Sequence, residues 1–491
     1  MSAYLLRLVK SLGAYQIADV VSKFMAILLL PVYTRYLAPN AYGAIGLLAN
    51  TVIFVSIVAR FGIIEAFLRY YFSDEDRERR DALARRATLF LLITSTIAAL
   101  ILAALASPLS RVVLGNQIRH PAQAYLIAVL GLWSFTNLEL AYGLLRVQER
   151  LRAYATASLT NVALTIAASV VLVVGCGLGA RGLLLGNYGA TTIVLFGMWW
   201  TMRKTLVPHR VGGEKLRLLM RFGLPTVPAE TSVYALSIID RYYLYHDRSA
   251  TVAGRYTIAI QFAGAIAFIV RAFQYAWPPL AYSVTDDAEA ARLYGLVATY
   301  YMLISGWIVA GLALEGRWIL RLLTTSHYFA AYKAMPWVAL GWAMYGLWVI
   351  LLVIAGRANV TRRNFPAALA GLVANVVLLI VLVPPLGIAG AGIALCGAYV
   401  AMLGVMHVLI RRAFAASFEW RRLVHLVLVI GGLAVTGELL LPTHGAVGFI
   451  TRLGVFAGIP VALYASGFAH REELQRARSL LGWARAKVAS Q

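Results

Sequence analysis

Ionisable side chains stand inside long apolar segments of this 491-residue chain, where a charge is costly. Lys23 lies near the middle of the first such segment. Gln16, Asp19 and Lys23 have the spacing i, i+3, i+7, which places them on one face of a helix. A polar stripe on an apolar helix predicts that the helix borders a water-filled cavity. The alternative is a Lys23–Asp19 ion pair that neutralises itself and only packs helices together.

A second polar stripe lies in the seventh apolar segment. Glu230, Tyr234, Ser237 and Arg241 follow one another at i, i+4, i+7 and i+11, so they also share a helical face. We expect Arg241 and Tyr234 to line the cavity. The alternative for Arg241 is that it lies near the end of the helix beside Asp240, where both are simply solvated.

The eighth apolar segment carries two arginines. Arg255 and Arg271 are 16 residues apart, about 160° around a straight helix, so both cannot face one cavity unless the helix bends. Arg271, which is deeper and near Gln274, is the preferred cavity residue, and Arg255 is expected at the mouth. Arg60 and Arg452 lie near segment ends and are expected to snorkel towards water.

The chemistry that this set of residues favours is the binding of an anion. Lys23, Arg241, Arg271 and Arg255 are cations that attract a diphosphate most strongly where water is partly excluded. Asp19 and Glu230 are the candidate carboxylates for coupling to an ion gradient.

The sequence offers no constellation for catalysis. The eight histidines are scattered, and the two cysteines have no metal-ligand spacing around them. There is no GxxxxGK[ST] loop to bind the phosphates of ATP. We therefore expect no enzymatic activity, no use of ATP, no metal and no cofactor.

Four asparagines also lie within apolar segments: Asn50, Asn161, Asn187 and Asn375. Their amides can form hydrogen bonds with sugar hydroxyls, or they can bond only between helices. The sequence leaves both interpretations open.

Composition shows what must position these residues. Hydrophobic residues make up 61% of the chain and charged residues only 13%, about half the charged fraction of a soluble protein. Apolar runs of roughly 20 residues without period-two alternation predict transmembrane helices. Fourteen are predicted, near 13–34, 41–64, 84–107, 121–144, 154–175, 181–202, 219–244, 252–278, 293–314, 331–356, 365–383, 388–410, 422–441 and 447–468.

The basic residues predict the orientation. If the N-terminus is cytoplasmic, the cytoplasmic connections and adjoining helix ends hold 30 of the 44 Lys and Arg residues, and the periplasmic connections hold 8. This asymmetry places both termini in the cytoplasm. It also explains the net charge of +23 through contact with the bilayer rather than with nucleic acid. The short connections leave no room for a catalytic domain outside the membrane.

Two segments six helices apart share a pattern: residues 23–46 and 238–261. Each contains the end of a helix, a short polar turn and the glycine-containing start of the next helix. Six helices return the chain to the same side of the membrane. The pattern therefore predicts two halves related by an axis along the membrane normal.

These segments resemble the Wzx-type polysaccharide transporter family of the multidrug/oligosaccharidyl-lipid/polysaccharide exporter superfamily. The first hairpin has the family pattern in Pro31, Thr34-Arg35-Tyr36-Leu37 and Tyr42-Gly43, and the second in Asp240-Arg241 and Gly254-Arg255-Tyr256. The resemblance implies an all-α integral membrane protein with two pseudo-symmetric six-helix bundles around a cavity. Twelve helices are common in this branch. The two extra C-terminal helices predicted here resemble those of the related peptidoglycan-precursor flippases, and this resemblance implies that they form a lipid-facing groove.

The domain organisation expected on this basis has four parts. They are an N-terminal six-helix bundle at 1–210, a second bundle at 211–412, two additional helices at 413–468 and a basic cytoplasmic tail at 469–491. The chain is expected in the bacterial inner membrane.

The function that the resemblance implies is a flippase. Its expected substrate is a polyprenyl-diphosphate-linked oligosaccharide, moved from the cytoplasmic to the periplasmic leaflet by alternating access for surface polysaccharide or lipopolysaccharide biosynthesis. Expected partners are this lipid-linked substrate, membrane lipids, and the polysaccharide polymerase and chain-length machinery. The main alternative is a cation-coupled drug or small-molecule exporter of the same superfamily, in which acidic residues should outnumber basic ones in the cavity. A membrane enzyme or a scaffold without transport fits the short loops and the intramembrane charges less well.

Overall fold

A computed structural model describes residues 25, 27–71, 76–206 and 214–468, and the regular secondary structure in these ranges is all helical. The first helices are α1 (Leu30–Tyr36), α2 (Pro39–Ala59), α3 (Ile63–Tyr70), α4 (Arg77–Ala104), α5 (Ala106–Leu114), α6 (Pro121–Val147), α7 (Leu151–Val170), α8 (Gly179–Thr201) and α9 (Arg203–Leu206). They are followed by α10 (Glu214–Gly223), α11 (Val227–Tyr243), α12 (Ala250–Ser283), α13 (Asp287–Leu323), α14 (Met335–Arg357), α15 (Asn364–Leu386), α16 (Ile388–Ile410), α17 (Trp420–Leu440) and α18 (Gly445–Ala465).

Twelve helices in the described part of the chain are long and apolar enough to cross a membrane. They are α2, α4, α6, α7, α8 and α12 to α18. This confirms the predicted all-α membrane fold, and the count is close to the fourteen expected. Of the two other predicted segments, the first ends in α1 and lies mostly outside the described residues, and the seventh is interrupted.

The interruption in the seventh segment has a local cause. A single 3₁₀ turn, Leu224–Thr226, separates α10 from α11. Pro225 and Pro228 have no backbone N–H to donate to the preceding turn, so a regular α-helix cannot continue through them. The result is that α11 contains only 17 residues.

The described residues fall into two compact units. The first comprises the described part of Met1–Gln261 together with Arg321–Ala331 and Gly371–Ala394. The second comprises Phe262–Leu320, Tyr332–Ala370 and the described part of Leu395–Gln491.

Within the first unit, the two segments that share a sequence pattern lie directly against each other. A Cβ atom on Gly43 would overlap the carbonyl oxygen of Ala250, and one on Gly254 would overlap the carbonyl oxygen of Pro39. Each glycine therefore faces the first turn of the other helix, a reciprocal contact of the kind that a local two-fold relation produces. Glycine is required at both positions because the two backbones touch.

Tyrosine hydroxyls close the same end of the first unit. The hydroxyl of Tyr245 donates to the carbonyl oxygen of Leu114 at 2.9 Å, and that of Tyr328 donates to the carbonyl oxygen of Leu37 at 2.8 Å. Both side chains are fully buried. Since a buried donor without a partner is costly, these bonds fix the loops to one another.

In the second unit the last two helices pack on α13. Ala310 of α13 belongs to a buried cluster with Leu426 and Ile430 of α17 and with Ile459 and Leu463 of α18. The ring of Trp307 stacks on Phe456 at 4.9 Å, and its indole N–H donates to the Phe456 carbonyl at 3.0 Å. The C-terminal helix pair is therefore part of the packed interior of this unit.

Candidate functional site

A cavity of about 470 Å³ lies within the first unit. Residues of six helices, α1, α2, α7, α8, α11 and α12, form most of its wall. The polar and aromatic members of that wall are Tyr33, Tyr42, Asn50, Asn161, Thr165, Asn187, Arg241, Thr257 and Gln261. Among the described lining residues, Arg241 is the one that carries a charge, and no carboxylate is present.

Arg241 reaches the cavity from the last turns of α11. Its Nε atom is shielded from solvent and has no hydrogen-bond partner. The neighbouring Asp240 is buried, with 2% of its surface exposed, and its carboxylate accepts a hydrogen bond from the hydroxyl of Tyr256. The pair is therefore not simply solvated: Asp240 ties α11 to α12, and Arg241 is left to face the cavity.

Carboxamides from four helices share this wall. Asn50 lies on α2, Asn161 on α7, Asn187 on α8 and Gln261 on α12. The Oδ1 atom of Asn50 accepts a hydrogen bond from Tyr234 at 3.1 Å, so these two residues hold each other. Gln261 was not singled out in the sequence, although it ends the second patterned segment.

Glu230 lies on the same stripe of α11 but belongs to a different site, centred on Arg60. The chain makes a turn just after α2, where Phe61 and Gly62 have φ angles of +49° and +66°. This turn brings Glu65 of α3 to 3.6 Å from the Arg60 guanidinium. Glycine tolerates the left-handed conformation at Gly62 without strain.

Three carboxylates surround the Arg60 guanidinium. Its Nη1 atom donates to Glu139 of α6 at 2.5 Å, and its Nη2 atom donates to Glu230. Only 8% of Arg60 is exposed, and about a third of each carboxylate side chain is exposed. The expectation that Arg60 snorkels to water is thus wrong, because partners from three other helices reach it in the interior. Glu139 lies inside an apolar run of the sequence, and this position alone could have indicated that it pairs with a cation in the interior.

Arg452 was also expected to snorkel, and this too is wrong. It is fully buried in the second unit, where its guanidinium donates to Glu438, which also accepts from Arg317. It further donates to the carbonyl oxygens of Pro442 and Leu441, each at 3.2 Å. Burial is tolerated because nearly all of its donors are paired.

The remaining predicted site residues lie apart from the cavity wall or beyond the described ranges. The Nε atom of Arg255 donates to the carbonyl oxygen of His327 at 2.9 Å, within the first unit. Arg271 lies on the part of α12 that belongs to the second unit, where its side chain is exposed. Lys23 and Asp19 lie outside the described residues. Across the described ranges, no group of three His, Cys, Asp or Glu side chains is placed to hold a metal ion.

Solved structures with a similar fold are lipid and drug transporters. An inward closed conformation of the lipid II flippase MurJ has a TM-score of 0.71 at 13% identity, covering 94% of this chain and 99% of that chain. An inward-facing multidrug resistance MATE family transporter of the MOP superfamily has a TM-score of 0.63 at 14% identity, covering 85% and 98%. A MOP superfamily transporter from Pyrococcus furiosus, described as having a binding pocket of reverse polarity, has a TM-score of 0.54 at 14% identity, covering 86% and 96%. At these identities the likeness shows a shared fold.

Sequence comparison identifies the family directly. No curated protein matches the chain. A family profile described as "Polysaccharide biosynthesis protein" matches residues 32–333, which include the second patterned segment, most of the first, most of the cavity wall and the Arg60 cluster. The resemblance found in the sequence is confirmed: the chain belongs to the polysaccharide biosynthesis protein family and has the membrane-transporter fold that MurJ and the MATE proteins share.

Proposed function

We propose that this protein is a flippase that moves a polyprenyl-diphosphate-linked oligosaccharide from the cytoplasmic to the periplasmic leaflet by alternating access. The observation that carries the proposal is the cavity of the first unit. Among the described residues that line it, Arg241 carries a charge and the other polar side chains are neutral. A guanidinium in a partly dehydrated cavity binds a diphosphate, and neutral hydrogen-bonding groups suit a sugar.

The cationic residues have distinct roles in this proposal. Arg241 contacts the diphosphate, and Tyr234 positions Asn50 at the cavity wall. Lys23 draws the head group out of the cytoplasmic leaflet. Arg255 and Arg271 bind the head group at other stages of transport.

Glu230 and its neighbours are the proposed coupling site. The Arg60 cluster contains three carboxylates around one guanidinium, so within the cluster negative charges outnumber positive ones. Such a cluster can take up a proton, which would loosen the hold of Arg60 on Glu230. Asp19 is the second candidate. An ion gradient would then drive transport without ATP.

The proposed setting is the bacterial inner membrane, with both termini in the cytoplasm and with bundles at 1–210 and 211–412 that move against each other. Polysaccharide polymerase and chain-length machinery would consume the product on the far side. A cation-coupled drug exporter is the alternative. It calls for a carboxylate in the cavity, and the described part of the wall contains none.

The test is to deplete the protein in its host and to analyse lipid-linked intermediates by mass spectrometry. We expect a polyprenyl-diphosphate oligosaccharide to accumulate on the cytoplasmic leaflet, and wild-type protein but not Arg241→Ala should restore export. Arg111→Ala, which removes an exposed arginine of α5, is the matched control and should behave as wild type. Normal surface polysaccharide without any accumulated intermediate would refute the proposal.

A further inference from the structure

Three side-chain amides of the cavity wall are placed to form hydrogen bonds with a ligand in the cavity. These are Asn161, Asn187 and Gln261, which come from α7, α8 and α12. Asn50 differs, because its Nδ2 atom donates to the Gly46 carbonyl at 2.5 Å and its Oδ1 atom accepts from Tyr234. Its amide is already engaged by the protein at both ends.

We propose that Asn161, Asn187 and Gln261 form a subsite for a neutral sugar ring that carries hydroxyl or acetamido groups, next to an anion held by Arg241. The inference rests on the proposed flippase function and specifies which part of the substrate this cavity recognises.

The chemistry of the amide group supports this choice of ligand. A carboxamide offers both donors and an acceptor, as do hydroxyl and acetamido groups, so each pairs with the other in either direction. A cationic ligand would instead need a carboxylate, and the portion of the wall that the structure describes has none. A ring with several negative charges would need more cations than the single Arg241 seen there.

Polar atoms of the cavity wall that lack hydrogen-bond partners favour the binding of a ligand. Asn161 Oδ1 and Gln261 Oε1 are both shielded from solvent and have no hydrogen-bond partner. A buried acceptor without a partner is costly. An amide rotation that turns either oxygen towards a ligand hydroxyl gains a bond that the empty cavity lacks. The unpaired Nε atom of Arg241 supplies a donor for the neighbouring anion in the same way.

The size of the cavity limits how much substrate it encloses. A volume of about 470 Å³ is within the range of roughly 300–1,000 Å³ that encloses a drug-sized ligand. The cavity therefore accommodates one end of an oligosaccharide. Because Arg241 lies on the same wall, the enclosed end is the one next to the diphosphate.

The test is binding of two lipids to the purified full-length chain in nanodiscs. The probes are undecaprenyl diphosphate and undecaprenyl diphosphate carrying N-acetylglucosamine. We expect the wild type to bind the sugar-bearing lipid at least about tenfold more tightly, since a single hydrogen bond contributes about 3- to 10-fold and several are available. Arg241→Met should weaken the binding of both lipids to the same extent.

Three variants test the amides: Asn161→Leu, Asn187→Leu and Gln261→Met. Each should reduce the preference for the sugar-bearing lipid by about 3- to 10-fold while leaving the affinity for undecaprenyl diphosphate unchanged. Asn187 is exposed, so its variant should fold even if the others do not. Asn375→Leu is the matched control: Asn375 is a fully buried amide of the same unit that does not line the cavity, and its variant should keep the full preference.

The outcomes separate the subsite from the function. If the wild type binds both lipids and the three variants keep the preference, the subsite is refuted and the flippase proposal stands. If the wild type binds neither lipid, both fail. A third probe, free diglucuronic acid, identifies the source of the anion. If Arg241→Met weakens the binding of this probe but not of undecaprenyl diphosphate, the anion is a sugar carboxylate, and the neutral-sugar assignment is overturned.

Discussion

Replacing Arg60 by alanine should destabilise the first unit by leaving three carboxylates without their shared cation. Arg60 is 8% exposed and pairs with Glu139, Glu230 and Glu65. Removing one partner of a buried ion pair typically costs about 3–5 kcal/mol. Since about a third of each carboxylate side chain is exposed, water screens part of that cost. We therefore expect a smaller loss, about 2–3 kcal/mol.

Thermal unfolding of the detergent-solubilised protein measures this loss. For a chain of this size, about 2–3 kcal/mol corresponds to a fall in Tm on the order of 2–3 °C, because the entropy of unfolding grows with chain length. Arg111→Ala is the control, because Arg111 is exposed and its replacement should change Tm by no more than about 1 °C. The double variant Arg60→Ala/Glu230→Gln should recover part of the loss, since it removes a carboxylate along with the cation.

Two results would refute this account of the Arg60 cluster. One is an Arg60→Ala protein that melts with the wild type, which would mean that solvent already satisfies the carboxylates. The other is a double variant that melts no higher than Arg60→Ala, which would mean that packing of the long arginine stem, rather than charge, stabilises the site.

Three further predictions concern other parts of the chain. Lys23→Ala should abolish export of surface polysaccharide with near-normal expression, and Lys23→Arg should keep part of it; full export by the double variant with Asp19→Ala would leave Lys23 with a packing role only. A cysteine at Glu78 should react with a membrane-impermeant thiol reagent only after the cells are opened, and labelling in intact cells would reverse the predicted orientation. Gly43→Ala should lower Tm and export because its Cβ meets the backbone of the facing helix, whereas Gly264→Ala, with open space around it, should change neither.

The helical fold was predictable because the length of an apolar run is a local property. A run of about 20 residues has one stable form in lipid, and its length can be counted in the sequence. The break between α10 and α11 was predictable for a similar reason, since Pro225 and Pro228 act on their own backbone.

The candidate site was predictable only in part. The stripe on α11 correctly identified polar residues, but it joined Arg241 and Glu230, which the structure assigns to the cavity and to the Arg60 cluster. The partners of Arg60 lie 79 and 170 residues away, at Glu139 and Glu230. Helical spacing reports which residues share a face and carries no information on which helix lies opposite. For the same reason Gln261, at the end of a recognised motif, was missed as a wall residue.

The pairing of Glu438 with Arg452 bears on how the chain enters the bilayer. The two residues lie 14 positions apart on consecutive helices, α17 and α18. Inserted alone, α18 would carry Arg452 into hydrocarbon without its carboxylate partner, at about 2.5–3.5 kcal/mol for a charge near the centre. Inserted together, as a hairpin, the two charges compensate each other. Biogenesis should therefore favour release of the two helices from the translocon as one unit.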